Sequence, residues 1–195
     1  MLRREEIFRE GASVREYDDL WQADIIEMRP YSGFNRGHHY ILTVIDVLSK
    51  YAWTVPLKSK GGSETAVIVE IIRASGRCPK NLQTDMEKEF YNIDVQKILK
   101  KHEVNHYSTY STLKASVVER FNRTLKNNMW KIFTLNGNYK WIDELPRLMS
   151  DYNARKHRTI GMRPADVIPA IAEKLLDMVY SAIKIAGHHQ IIIKI

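Results

Sequence analysis

The chain has almost no cysteine. Its single thiol, Cys78, stands in a turn-like stretch before Pro79. One cysteine excludes an internal disulfide framework and any Cys-rich zinc site. The seven histidines do not replace it as metal ligands, because His38–His39 and His188–His189 are adjacent pairs without metal-binding spacing. No apolar run is long enough to span a bilayer. The N-terminus, MLRREEIFRE, is charged where a secretory signal would be apolar. Repeats and low-complexity tracts are also absent. These absences point to an intracellular globular protein without a membrane anchor.

The bulk numbers are ordinary apart from charge. At 195 residues, 44% of them hydrophobic, the chain is long enough for one well-buried domain with a short appendage. Thirty Lys and Arg against 23 Asp and Glu give a formal charge of +7, which suits a polyanionic partner.

Periodicity divides the chain into residues 1–18 as a polar arm, 19–168 as the core, and 169–195 as a helix with a truncated tail. LWQADIIEM (20–28) reads as a strand and YSGFNRGH (31–38) as a hairpin connection. HYILTVIDVL (39–48) reads as a strand covered on both faces, and YAWTVPL (51–57) as a third strand. Ser63 begins a capped helix. A short strand ends near Asp85, and residues 90–102 form a helix with Ile93, Ile98 and Leu99 as its apolar positions. Another short strand, EVNHYS, leads into a polar loop at 108–116. The order β-β-β-α-β-α-β-α predicts a mixed sheet with helices packed on it.

On a helix over 117–133, Val117, Val118, Phe121, Leu125, Met129 and Ile132 form one apolar stripe. Glu119, Arg123, Lys126 and Trp130 form another, away from the core. Trp130 and Trp141 are read as packing residues. In the next helix Trp141, Leu145, Leu148 and Tyr152 share core spacing, and Pro146 kinks or restarts it. A turn at Gly161 and a helix over 169–187 follow.

Three acids stand out: Asp24 in WQADII, Asp85 in NLQTDMEKEF and Glu119 in KASVVERFNRTLK. The first two lie on or at the end of strand-like runs, and the third opens a basic helix. If they converge they repel one another unless a cation sits between them. Carboxylate-only clusters favour Mg²⁺ or Mn²⁺. Asp46 is read differently, as a turn-capping residue before Ser49.

Together the motifs DLWQADII, YILTVIDVLSKYAWTVPLKSK, LQTDMEKEFYN, KHEVNHYSTYSTLKASVVERFNRTLK and YNARKHRTIGMRPADV resemble the catalytic core of retroviral-type integrases. The likeness is nearest to integrases of Maverick or Polinton transposons, and runs from about residue 21 to 167. It implies an α/β, RNase H-like fold with a mixed five-stranded sheet flanked by helices. It implies that Asp24, Asp85 and Glu119 form a catalytic and metal-binding triad for two Mg²⁺ or Mn²⁺ ions. The implied activity is DNA 3′-end processing and strand transfer by in-line displacement, without a covalent intermediate. Arg123, Lys126 and Lys114 are the implied DNA contacts, with His106, Tyr107 and Tyr110 stacking on a base or bracing the loop. The resemblance further implies self-association and a nuclear location. Relatives carry Gly where Glu87 stands, and their zinc-binding and C-terminal modules have no counterpart here. A domesticated DNA-binding or scaffold protein without turnover is therefore the alternative. An RNase H-type nuclease fits less well, since nothing beyond the shared fold points to RNA–DNA hybrids.

Overall fold

The computed structural model describes residues 16–61, 71, 74–85, 88–108 and 116–178. Five strands form one sheet in the order β3-β2-β1-β4-β5. They are β1 (Leu20–Glu27), β2 (Tyr40–Asp46), β3 (Ala52–Leu57), β4 (Asn81–Thr84) and β5 (Asn105–Ser108). The first three make the expected antiparallel meander, and β4 and β5 join β1 in parallel. The helices are α1 (Ile93–Lys101), α2 (Ser116–Asn136) and α3 (Leu145–Ala154), and residues 169–178 are also helical.

Alternation along the central strand divides the core in two. Trp21, Ala23 and Ile25 face one side with Leu42, Val44, Leu82, Phe90, Val95 and Leu99. Ile26 faces the other with Ile41, Ile45, Phe121, Leu125, Met129 and Trp141. Because helices cover both faces, β2 reads as a nearly continuous apolar run. The apolar stripe of α2 matches its expected positions: Val118, Phe121, Leu125 and Met129 are buried, and Val117 and Ile132 partly so.

Local details depart from the sequence reading. The connection between β1 and β2 is a 3-10 helix, Arg29–Phe34, followed by a turn with positive φ at Arg36 and Gly37. The helix expected from residue 90 begins only at Ile93, after a 3-10 turn at Lys88–Tyr91. Asn92 caps it by accepting from the Val95 amide at 2.9 Å. That cap puts Ile93 in the first turn, where it is 72% exposed, and makes Val95 the core residue. Pro146 sits in the first turn of α3. It starts that helix without kinking it, because a first-turn N–H has no intrahelical partner to lose. Gly161 makes its turn at φ +69°.

Asp46 caps the β2–β3 turn as expected, but the buried polar assembly built on it was not anticipated. Its carboxylate accepts from the Leu48 and Ser49 amides and the Ser49 hydroxyl. It also accepts from Arg77 at 2.7 Å, and Arg77 in turn grips Asp18 at 2.6 Å. The guanidinium lies 4.3 Å from the Tyr17 ring centroid and 4.9 Å from that of Trp53. This box closes one end of the sheet. The expected helix start at Ser63, the arm before residue 16, Glu87, Lys114, Tyr110 and the tail after 178 lie outside the described residues.

Candidate active site

The site begins with a glutamine in an apolar strand. Gln22 lies on the α2 side of β1 and is buried, as is Gln83 beside it on β4. The Gln22 amide donates to Gln83 Oε1 at 2.8 Å. Its Oε1 accepts from the backbone N–H groups of Val117 and Val118, at 3.1 Å each. These are first-turn donors that the helix cannot satisfy itself. One side chain therefore clasps two strands and the start of α2.

The clasp sets the positions of the three acids. Asp24 is two residues beyond Gln22 and so shares its face. Asp85 immediately follows β4, beyond the last β1–β4 ladder pair Gln22↔Gln83. Glu119 is in the first turn of α2. Asp24 is half-buried, while Asp85 and Glu119 are exposed.

Asn122, one turn beyond Glu119, completes the link. Its amide donates to Asp24 Oδ2 at 2.7 Å, and the Ile25 N–H donates to Oδ1 at 2.8 Å. These bonds fix the carboxylate's orientation and leave lone pairs for another ligand. Asn122 is 6% exposed, yet its Oδ1 has no hydrogen-bond partner. An orphan acceptor beside a carboxylate is a hard oxygen donor set, of the kind Mg²⁺ or Mn²⁺ takes. Among the described residues, however, no three His, Cys, Asp or Glu side chains are grouped to hold a metal ion. The backbone brings Asp24, Asp85 and Glu119 to one end of the sheet, and their carboxylates do not form a closed three-ligand cluster.

A second relay holds the Asp85 end. Gln96 donates to His106 Nδ1 at 2.8 Å, which leaves Nε2 to donate to Thr84 Oγ1 at 2.9 Å. The Thr84 hydroxyl then donates to the Asp85 carbonyl at 2.8 Å. Burial holds the imidazole below its ordinary pKa. His106 thus braces the site, and Tyr107 packs against the Leu20–Ile160 cluster. Arg123 and Lys126 are exposed on the outer face of α2, as expected. Trp141 is fully buried, while Trp130 packs against Tyr31, Phe133 and Tyr139 and remains 47% exposed. Gln22, Gln83 and Asn122 escaped the sequence reading. Their signal was polar side chains on apolar elements, two or three residues from a chosen acid.

Comparison with known proteins gives this arrangement a family. Residues 15–110 match the integrase core domain family. A putative uncharacterised transposon-derived protein of Caenorhabditis elegans is 36% identical over 141 residues, covering 72% of this chain and 49% of that protein. The chain carries a retroviral-type integrase core. The Pol polyprotein of a radiation murine leukemia virus is 30% identical over 143 residues, 69% of this chain and 23% of the polyprotein. The match thus spans half or less of these relatives. The HTLV-2 integrase catalytic core domain in complex with magnesium, in its dimeric form, superposes with a TM-score of 0.63 at 18% identity. That alignment covers 78% of this chain and 97% of the other. A simian T-cell lymphotropic virus intasome gives 0.67 at 19% identity, covering 80% of this chain and 59% of the other. At such identities the structures establish the shared fold, the RNase H-like mixed sheet flanked by helices. The relatives include both transposon-derived and retroviral proteins, and none of them singles out the Maverick or Polinton kind. No helix among the described residues is long and apolar enough to cross a membrane.

Proposed function

We propose that this integrase core processes DNA 3′ ends and joins them to target DNA by divalent-metal-dependent phosphoryl transfer. The observation that carries the reading is the clasp. Gln22 ties β1, β4 and the first turn of α2 together, and Asn122 grips Asp24 from the same helix. Three carboxylates distant in sequence thereby share one end of the sheet.

Asp24, Asp85 and Glu119 are the residues that would hold Mg²⁺ or Mn²⁺. Bound there, a pair of such ions supplies Lewis acidity toward the scissile phosphate and makes a better nucleophile of water or a DNA hydroxyl. Asp24 enters this work already oriented by two N–H donors. Glu119, exposed in the first turn of α2, would be the third ligand. Arg123, Lys126 and Lys114 bind the DNA backbone, fixing position without reading sequence. No Ser, Cys or Tyr nucleophile is needed. Self-association and a nuclear location belong to the same proposal. The dimeric form of the HTLV-2 core and the intasome support the first.

A second reading, a domesticated DNA-binding protein without turnover, is favoured by the open carboxylate arrangement. One experiment separates the two. The protein is incubated with Mn²⁺ and a labelled terminal DNA, beside Asp85→Asn. Nicked or joined product that disappears in the variant supports the enzyme. Equal DNA binding with no product from either protein refutes catalysis and supports the scaffold.

A further inference from the structure

The outer stripe of α2 does not end at its cations. Trp130 continues it, one turn beyond Lys126, with half its ring open to solvent. The covered part is held by other aromatics. Its ring centroid lies 5.8 Å from that of Tyr31, 5.4 Å from Phe133 and 6.4 Å from Tyr139, each in an edge-on contact. Phe34 and Tyr139 extend the patch and are 51% and 42% exposed.

The support is rigidly tied. Asn35 is fully buried between the 3-10 turn that bears Tyr31 and the turn that bears Tyr139. Its amide donates to the carbonyls of Tyr31 at 2.7 Å and Tyr139 at 2.9 Å. Its Oδ1 accepts from the amides of Trp141 and Ile142. All four hydrogen bonds serve to lock two loops behind one exposed indole.

The charge around the patch selects its occupant. Arg123, Lys126, Lys131 and Lys140 are exposed, and among the described residues none is drawn into an ion pair. The acids nearby are already matched, Asp143 with Arg36 at 2.6 Å and Glu27 with Arg29 at 2.7 Å. A flat aromatic face at the end of an unpaired cationic row suits a polyanion that carries flat bases. We propose that Trp130, backed by Tyr31, Phe133 and Tyr139, is a stacking platform for an unpaired DNA base. Arg123 and Lys126 hold the phosphates between that base and the candidate active site. This deepens the DNA reading above and rests on it. Glu119 and Trp130 are 11 residues apart on one helix, or about 16 Å at ~1.5 Å per residue. At ~3.4 Å per stacked nucleotide, that places the captured base roughly five nucleotides from the reacting phosphate.

The test uses the whole chain and a single-stranded thymidine oligonucleotide of about 12 nucleotides, within the usual site size. Binding is followed by fluorescence anisotropy and by quenching of tryptophan emission. Trp130→Ala is expected to weaken binding about 5- to 100-fold and to abolish the quenching. Trp130→Phe keeps most of the affinity. Trp130→Leu, which keeps an apolar side chain without a π face, behaves like alanine and decides the matter if the alanine variant unfolds. An abasic site moved along the oligonucleotide weakens wild type at one position and leaves Trp130→Leu indifferent. If Trp130→Leu binds as wild type does while Arg123→Ala weakens binding, the platform is overturned and the DNA reading survives. If wild type itself binds no DNA, both are overturned. If Trp130→Leu alters only the sedimentation of a dimer, the patch is a protein interface and the proposal is wrong.

Discussion

Replacing Gln22 with Leu tests the clasp with near-constant side-chain volume. The variant loses the bond to Gln83 and both bonds from the α2 amides. Gln22 is 6% exposed, Gln83 4% and Val118 1%, so water does not readily replace the lost partners. Each buried polar group left unsatisfied costs about 1–3 kcal/mol. The new leucine is itself well buried and returns part of that by transfer, of order 1–2 kcal/mol. The expected net loss is about 2–4 kcal/mol, which lowers the melting temperature by roughly 5–15 °C in a domain of this size. Scanning calorimetry measures it directly. Gln22→Glu is the informative companion. Its carboxylate still accepts from the Val117 and Val118 amides, where the helix dipole favours negative charge. Gln83 can turn its amide to donate to it. Gln22→Glu should therefore lose less than half as much stability as Gln22→Leu. If Gln22→Leu melts within a degree or two of wild type, or if Glu is worse than Leu, Gln22 does not anchor the helix and the geometric case for the site fails.

Two further perturbations follow from the buried charges. Arg77→Met strands the fully buried Asp46 carboxylate, whose pKa burial already raises. The expected loss is about 3–5 kcal/mol, partly recovered in Arg77→Met/Asp46→Asn, and urea unfolding with unchanged m-values measures both. Burial also pushes the Lys50 ammonium down to about 8, against about 10.4 in an unfolded chain. Between those values the unfolded state binds more protons, so this residue makes stability rise with pH from about 8 to 10. Lys50→Met should flatten that rise in a series of urea melts. An unchanged slope would mean that Lys50 is solvated.

The parts of the fold that could be read from sequence share one physical origin. Where burial is uniform or strictly periodic, composition reports it. The two-sided apolar run of β2 and the stripe Val118, Phe121, Leu125, Met129 on α2 are such cases. The start of α1 was misplaced because a cap, not hydrophobicity, decides where a helix begins. Asn92 shifts the start, and a first-turn isoleucine then faces water. The Arg77 box was invisible for a different reason. Its members come from residues 17–18, 46–53 and 77, and no local pattern links them.

The candidate site shows the same division more sharply. Its acids were legible because each stands in a motif that resembles an integrase core, and Asp24 also because a carboxylate on a buried strand is costly enough to need a reason. The residues that orient them were not, because a neutral amide such as Gln22 or Asn122 carries no charge to flag it. Yet each interrupts an otherwise apolar face of its element, and each is more than 90% buried. Burying an amide is tolerable only when its hydrogen bonds are made. Gln22 makes three. Asn122 spends its amide on Asp24 and leaves Oδ1 with none. An unsatisfied acceptor at that depth is a standing cost to the fold. It lies next to Asp24, where, on the proposed function, a cation-bound water or a DNA hydroxyl would donate to it and remove that cost.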